Sequence, residues 1–550
     1  MATSMSNTDR DTGYLFKTPF HIVDRPVFQH HPKMGVLTDA LWPDLCFLLF
    51  AFWTMAYVYA SRHFNFWIKQ DVPYIKPLPF LGNFADIVLS RLSVAQLLKK
   101  VYEEHGHQPY VGMFAFDQPF LLVRDRRLVK HILSSKVSGA WDWNSADCDR
   151  CPLGPRNIFG ASDERWRVTR SRLIPTFTVD EMKQMYHLLN EIAIDFVSSF
   201  ETSVLAGKPV KVQETLTEHT AHKLSKCIFG AQGNTQNVPQ SILNSHLFDD
   251  RRPSVIQGIK YAATFVMPFI MKPFESSDGD TGFESELGKT IADNFSNREK
   301  HGLTQDVFLE LLIQIKNKRH VSNVNEPTRR RKQTESYSRN SKPEEHQLVG
   351  LDCLSLLEDF SISFHIINFT LYHLALNQEL QSSVRTEVQK YNTSPTYETV
   401  VSMKQLDMIV KETLRMYPVF GFLGCKTTAD CKLPGTDVTI PAGTWVAVSV
   451  WGQHMDTAFH PNSTTYNPER FSEKDKLHIE EYTYMPFGVR KNNDTGIMLG
   501  LMHSKIALVH VLSKYSIDIC EETPQILNLN STYFLRNAAN GIPLKLTKIC

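Results

Sequence analysis

From Leu41 to Ala60 the chain runs apolar, with one charge, Asp44, near its start. Crossing the hydrocarbon core of a bilayer takes about 20 apolar residues on a helix. Trp42, Tyr57 and Tyr59 lie near the ends of the run, where amphipathic rings favour the membrane interface. A buried core helix is equally apolar, but a cleaved signal peptide starts nearer the N-terminus and precedes a small-residue cleavage pattern. The run therefore predicts a transmembrane anchor over 41–60, with a polar extension over 1–38. Arg62, Lys69 and Lys76 follow it closely, and Lys33 precedes it, with Arg10, Lys17 and Arg25 farther off. The bias of basic residues toward the cytoplasmic side leaves the body of the chain facing the cytoplasm.

The chain as a whole is balanced in charge, with 59 Lys and Arg against 58 Asp and Glu. A nucleic-acid binder needs a basic surface, so that class is excluded. Hydrophobic residues make up 42% and aromatics 11%, enough for a large core. The nine cysteines are scattered and form no disulfide framework or paired metal spacing. Cys148 and Cys151 make a lone Cys-x-x-Cys with no second pair. This usage suits a reducing, cytosol-facing body. Length alone suggests several domains, but no mid-chain linker divides the chain.

The Pro-rich run Val72 to Leu81 predicts an extended spacer within 61–82, because residues before proline avoid the helical region. Val111 to Phe114 and Phe120 to Val123 predict short strands. Thr178 to Phe200 has helical spacing, and Leu351 to Leu376 reads as a long apolar helix. Residues 318–347 contain Arg329-Arg330-Arg331-Lys332 and little to bury, which predicts a mobile surface loop. The basic run also suits anionic lipid, although a solvated loop is the simpler reading.

Glu412 and Arg415 are three apart, so on a helix they share a face and can pair. Pro468-Glu469-Arg470-Phe471 follows, after His454-Met455-Asp456. Trp166 and Arg170, four apart, put an indole donor and a guanidinium on one face. Then comes Met485-Pro486-Phe487-Gly488, with Gly496 beyond it. Each motif alone is commonplace; a Glu-x-x-Arg is usually a solvated helix pair. Taken in this order and at these distances, from Pro73 to the C-terminus, they resemble the cytochrome P450 family. Val72 to Asn83 and Pro175-Thr176-Phe177-Thr178 bring the likeness closest to insect microsomal P450s of xenobiotics and lipophilic hormones.

The resemblance implies a mainly α fold with small β-sheets. A single large haem domain, over 83–550, would sit behind the N-terminal transmembrane helix in the endoplasmic reticulum membrane. It implies that Arg415 turns its fork toward the Pro-Glu-Arg-Phe segment. It also implies that Trp166, Arg170 and Lys426 reach the haem propionates, while Phe487, Gly488 and Gly496 frame the iron-ligand loop. That loop normally reads Phe-Gly-x-Gly-x-Arg-x-Cys-x-Gly. Here Arg490, Asn492 and Asp494 stand at the glycine, arginine and cysteine positions. A thiolate pushes electron density onto iron-bound oxygen; a carboxylate is a harder, weaker donor. The family's oxygen-relay segment, Ala-Gly-x-Glu-Thr-Thr, aligns with Glu358-Asp359-Phe360-Ser361-Ile362-Ser363. Ile362 cannot hydrogen-bond or pass a proton. Ser361 or Ser363 supplies a hydroxyl only with a shifted helix register. His503 is a further nitrogen donor, two helical turns past the ligand position, where a packing or surface role is the plainer reading.

Two functions follow from the resemblance. One is a haem monooxygenase of lipophilic small molecules, using O2 and electrons from an NADPH-dependent P450 reductase. The other is a catalytically silent member of the fold that works by ligand or protein binding.

Overall fold

The computed structural model describes residues 41–134, 141–142, 179–216, 362–391, 395–427, 429–488, 495–527, 529, 538 and 541–549. The chain divides into two compact units, Met1–Tyr59 and Ala60–Cys550. Trp166, Arg170, Glu358, Asp359, Ser361 and Asp494 lie outside the described residues, as do 1–38 and 318–347.

Helix α1 (Leu41–Ser61) belongs almost wholly to the first unit. Its large side chains are turned outward: Phe50 is 71% and Trp53 59% exposed. An apolar surface of this extent is at home in hydrocarbon, not in water. The described helices that matter to the second unit are α2 (Val94–Glu104), α3 (Val179–Leu205), α4 (Ile362–Leu376), α5 (Gln378–Lys390), α6 (Lys404–Met416), α7 (Val450–His454) and α8 (Thr495–Lys514). The apolar stretch Ile497–Lys514 of α8 is also long enough to span a membrane, but 72% of it is buried. It packs on α3 and α5 and is a core helix.

The described strands are β1 (Tyr110–Ala115), β2 (Gln118–Val123), β3 (Trp141–Asp142), β4 (Val210–Lys211), β5 (Leu423–Thr427), β6 (Cys431–Lys432), β7 (Thr439–Ile440), β8 (Trp445–Val448), β9 (Tyr515–Asp518) and β10 (Pro543–Lys548). The largest sheet runs β1-β2-β8-β5-β3. Only β2 against β8 is parallel in it, with Leu121 opposite Val446; β5 returns antiparallel, with Cys425 opposite Val446. Apolar clusters cover this sheet, one centred on Trp67, Phe114 and Val448 and another on Phe84, Leu98 and Leu122. The third and largest cluster joins α3, α4, α6 and α8.

The Pro-rich run is extended as expected, and it is also docked. Gly112 N–H donates to the Pro73 carbonyl at 2.7 Å, and Ile75 N–H to the Gly112 carbonyl at 3.0 Å. Trp67, fully buried, donates its indole N–H to Met113 O at 2.8 Å. Glycine at 112 permits this approach, because a Cβ there would stand 2.7 Å from Trp67 Cγ.

Candidate functional site

Helix α6 carries the paired charges. Leu406, Ile409, Val410 and Leu414 turn its apolar face inward, and Glu412 and Arg415 are drawn in with them, both wholly buried. Burying two charges is costly unless every donor and acceptor is matched. Here the matching is complete on the guanidinium. Arg415 Nε and Nη2 donate to the Glu412 carboxylate at 2.8 and 2.9 Å. Nη1 donates to His454 O at 2.8 Å and approaches Met455 Sδ at 3.7 Å, and Nη2 donates to Ser463 O at 2.7 Å.

This corrects one expectation. The fork does not reach the Pro-Glu-Arg-Phe segment, because carbonyls of the preceding turn take its remaining donors. The carboxylate does so instead. Glu412 Oε1 accepts from Asn467 N–H at 2.9 Å, and Arg470 Nε stands 3.5 Å from it. Arg470 is held in turn by Asn462 O at 2.8 Å.

Behind this pair lies a polar column that composition did not reveal. The hydroxyls of Thr370, on α4, and Thr413 are 2.9 Å apart, and Thr413 is 2.9 Å from the Tyr466 hydroxyl, which donates to Ile409 O. The His373 ring stacks on Tyr466 at 4.1 Å and 8°, and its Nε2 is 3.1 Å from the Tyr417 hydroxyl. Burial, helped by the Arg415 charge, lowers the His373 pKa to about 3. Burial also pushes the Tyr466 hydroxyl well above its ordinary value.

His454, at the end of α7, ties α6 to the ligand loop. Its Nδ1 is 3.1 Å from Arg415 O, and its Nε2 accepts from Met485 N–H at 2.7 Å. A carbonyl on one side and an amide on the other fix one tautomer, with the proton on Nδ1. The ring stacks on Tyr484 at 5.3 Å and 19°, and Tyr484 donates its hydroxyl to Lys411 O at 3.1 Å. Met485 is buried, and Phe487, half-buried, packs on the main core cluster. Gly488 takes φ +81°, a left-handed turn that favours glycine, with Leu423 against it. Gly496 falls in the first turn of α8. Lys426 sits on β5, in register with Trp445 and Asp142.

The two described residues of the expected oxygen-relay segment, Ile362 and Ser363, are both packed in the interior. Ile362 is buried in the main cluster. Ser363 Oγ lies 2.8 Å from His503 Nδ1, with both residues fully buried. The structure thus joins a candidate relay hydroxyl to the alternative nitrogen donor, across α4 and α8. Burial lowers the His503 pKa to about 3.

The described entry to the expected loop, Met485 to Gly488, keeps the Phe-Gly pair, with the left-handed turn at Gly488. Position 494 offers a carboxylate. The described cysteines with free thiols are elsewhere: Cys46 on α1, Cys431 beside its neighbour's carbonyl on β6, and Cys520 against Thr523 and Pro543. Among the described residues, no cluster of His, Cys, Asp and Glu could hold a metal ion. The segment expected to carry the iron ligand, 489–494, lies outside the described residues.

Comparison with known proteins agrees with this frame. The profile of the family described as Cytochrome P450 matches residues 72–544. Cytochrome P450 6j1 of Blattella germanica is 33% identical over 497 residues, covering 90% of this chain and 95% of the relative. Cytochrome P450 6k1 of the same organism is 32% identical over 525 residues, covering 94% and 99%. Cytochrome P450 6B7 of Helicoverpa armigera is 27% identical over 493 residues, covering 86% and 92%.

Proposed function

The chain belongs to the cytochrome P450 family, and from that premise we propose that it is a membrane-anchored member that has lost thiolate-driven oxygen chemistry. The family's inherited work, by the resemblance, is haem-dependent monooxygenation of xenobiotics or hormones. This chain keeps the scaffold for that work and binds lipophilic small molecules without turning them over. One feature carries the reading: by the resemblance Asp494 stands at the ligand-cysteine position, while the buried Glu412–Arg415 pair of the scaffold is fully matched. Ile362 at the relay threonine supports it, since an aliphatic side chain holds no proton.

The test is the absorption spectrum of the purified full-length chain, reduced and under carbon monoxide. The expected trace lacks the band of a thiolate-ligated haem. Finding that band in the unaltered chain would sink the proposal.

A second reading, retained monooxygenation, is favoured by the family match over residues 72–544 and by relatives described as cytochromes P450 along nearly the whole chain. It requires electrons from an NADPH-dependent reductase. Product formation from a panel of lipophilic compounds, with reductase and NADPH, decides between the two. In both readings α1 spans the endoplasmic reticulum membrane. The basic residues Arg62, Lys69 and Lys76 that follow it support a body on the cytoplasmic side.

A further inference from the structure

We infer that His454 is a positioning residue: as a neutral imidazole it transmits the placement of the buried Glu412–Arg415 pair to the backbone that enters the ligand loop. Three observations converge on it. Its ring is wholly buried. Its two nitrogens bridge the carbonyl of Arg415 and the amide of Met485, at 3.1 and 2.7 Å. Its own carbonyl accepts from Arg415 Nη1 at 2.8 Å, so residue 454 grips Arg415 through both backbone and side chain.

The chemistry of the contact is specific. The Arg415 carbonyl, near the C-terminal end of α6, needs a donor, because the last carbonyls of a helix have no partner within it. The Met485 amide, in a non-helical stretch, needs an acceptor. Neutral imidazole supplies one of each on opposite edges of a rigid ring. Stacking on Tyr484 holds the ring's plane, and Tyr484 returns to α6 through Lys411 O. The loop entry is therefore tied to α6 twice, at Lys411 and at Arg415. The role holds whether or not iron is bound.

The test is amide hydrogen exchange on the full-length chain in lipid nanodiscs, following residues 484–488, with β1–β2 and β10 as controls. His454→Phe keeps the ring stack and removes both hydrogen bonds. His454→Gln keeps a donor and an acceptor on one planar amide. Losing one net hydrogen bond should speed exchange at Met485 about tenfold in the Phe variant. The controls should stay unchanged, and the Gln variant should keep the parent rate. Unchanged exchange in the Phe variant, acceleration spread evenly over the controls, or failure of Gln to preserve the parent rate each overturns the inference. Should His454→Phe not fold, the Gln variant alone decides, by matching or exceeding the parent rate at Met485.

Discussion

Ser363 Oγ and His503 Nδ1 stand 2.8 Å apart, sealed from solvent between α4 and α8. The contact commits to packing the hydroxyl that follows Ile362 in the relay segment. Ser363→Ala should therefore lower stability by about 1–3 kcal/mol, the cost of depriving a buried polar group of a partner. Chemical denaturation of the full-length chain measures it. An unchanged midpoint would show that the bond contributes nothing.

Acid should weaken the fold through its buried imidazoles. Burial lowers His503 and His373 to about 3, and His460 and His510 to about 4. Unfolded histidine titrates near 6.5, so unfolding takes up protons below that pH. The stability these groups contribute is fully present above about pH 6.5 and drains away as pH falls toward 3 to 4. His503→Gln should flatten the loss by about one proton, or about 1.4 kcal/mol per pH unit. A slope equal to the parent's between pH 6 and 4 would refute the assignment.

Arg415→Lys should destabilise strongly, by about 3–5 kcal/mol. An ammonium has three donors and no planar fork, so it cannot replace the four N–H···O bonds that Arg415 makes to Glu412, His454 O and Ser463 O. Arg470→Lys should cost much less, since Arg470 only approaches Glu412, at 3.5 Å. Equal losses in the two variants would contradict this ordering of the charges.

Rebuilding the loop should restore cofactor uptake. The triple change Asp494→Cys, Arg490→Gly and Asn492→Arg re-creates the family pattern on a frame whose entry, Met485 to Gly488, is already in place. Haem content per chain should rise, with a sulfur-type spectrum after reduction under carbon monoxide. No rise would place the damage beyond these three positions.

The sequence was informative where chemistry is local. Spacing of three placed Glu412 and Arg415 on one face of α6, and β-branched and aromatic runs marked β1 and β2. The Thr178 to Phe200 pattern marked α3, which continues to Leu205. It was silent where partners lie far apart along the chain. Nothing near Arg415 says that its fork ends on His454 O and Ser463 O, because that depends on the path of the turn after α7. Thr370 and His373 stand in a stretch whose composition reads as plain apolar helix, yet their partners are Thr413, Tyr417 and Tyr466. Position 454 counted only as part of a motif. Its bridge to Met485 is a meeting of elements that no periodicity predicts.

Trp67 and the prolines after it, coming soon after the anchor, are part of the folded body's own wall. Anyone trimming the polypeptide to make it water-soluble should cut before Arg62. A cut at Asn83, where a tether would seem to end, strips the indole from Met113 and lays bare the flank of the large sheet, leaving a truncate prone to clump.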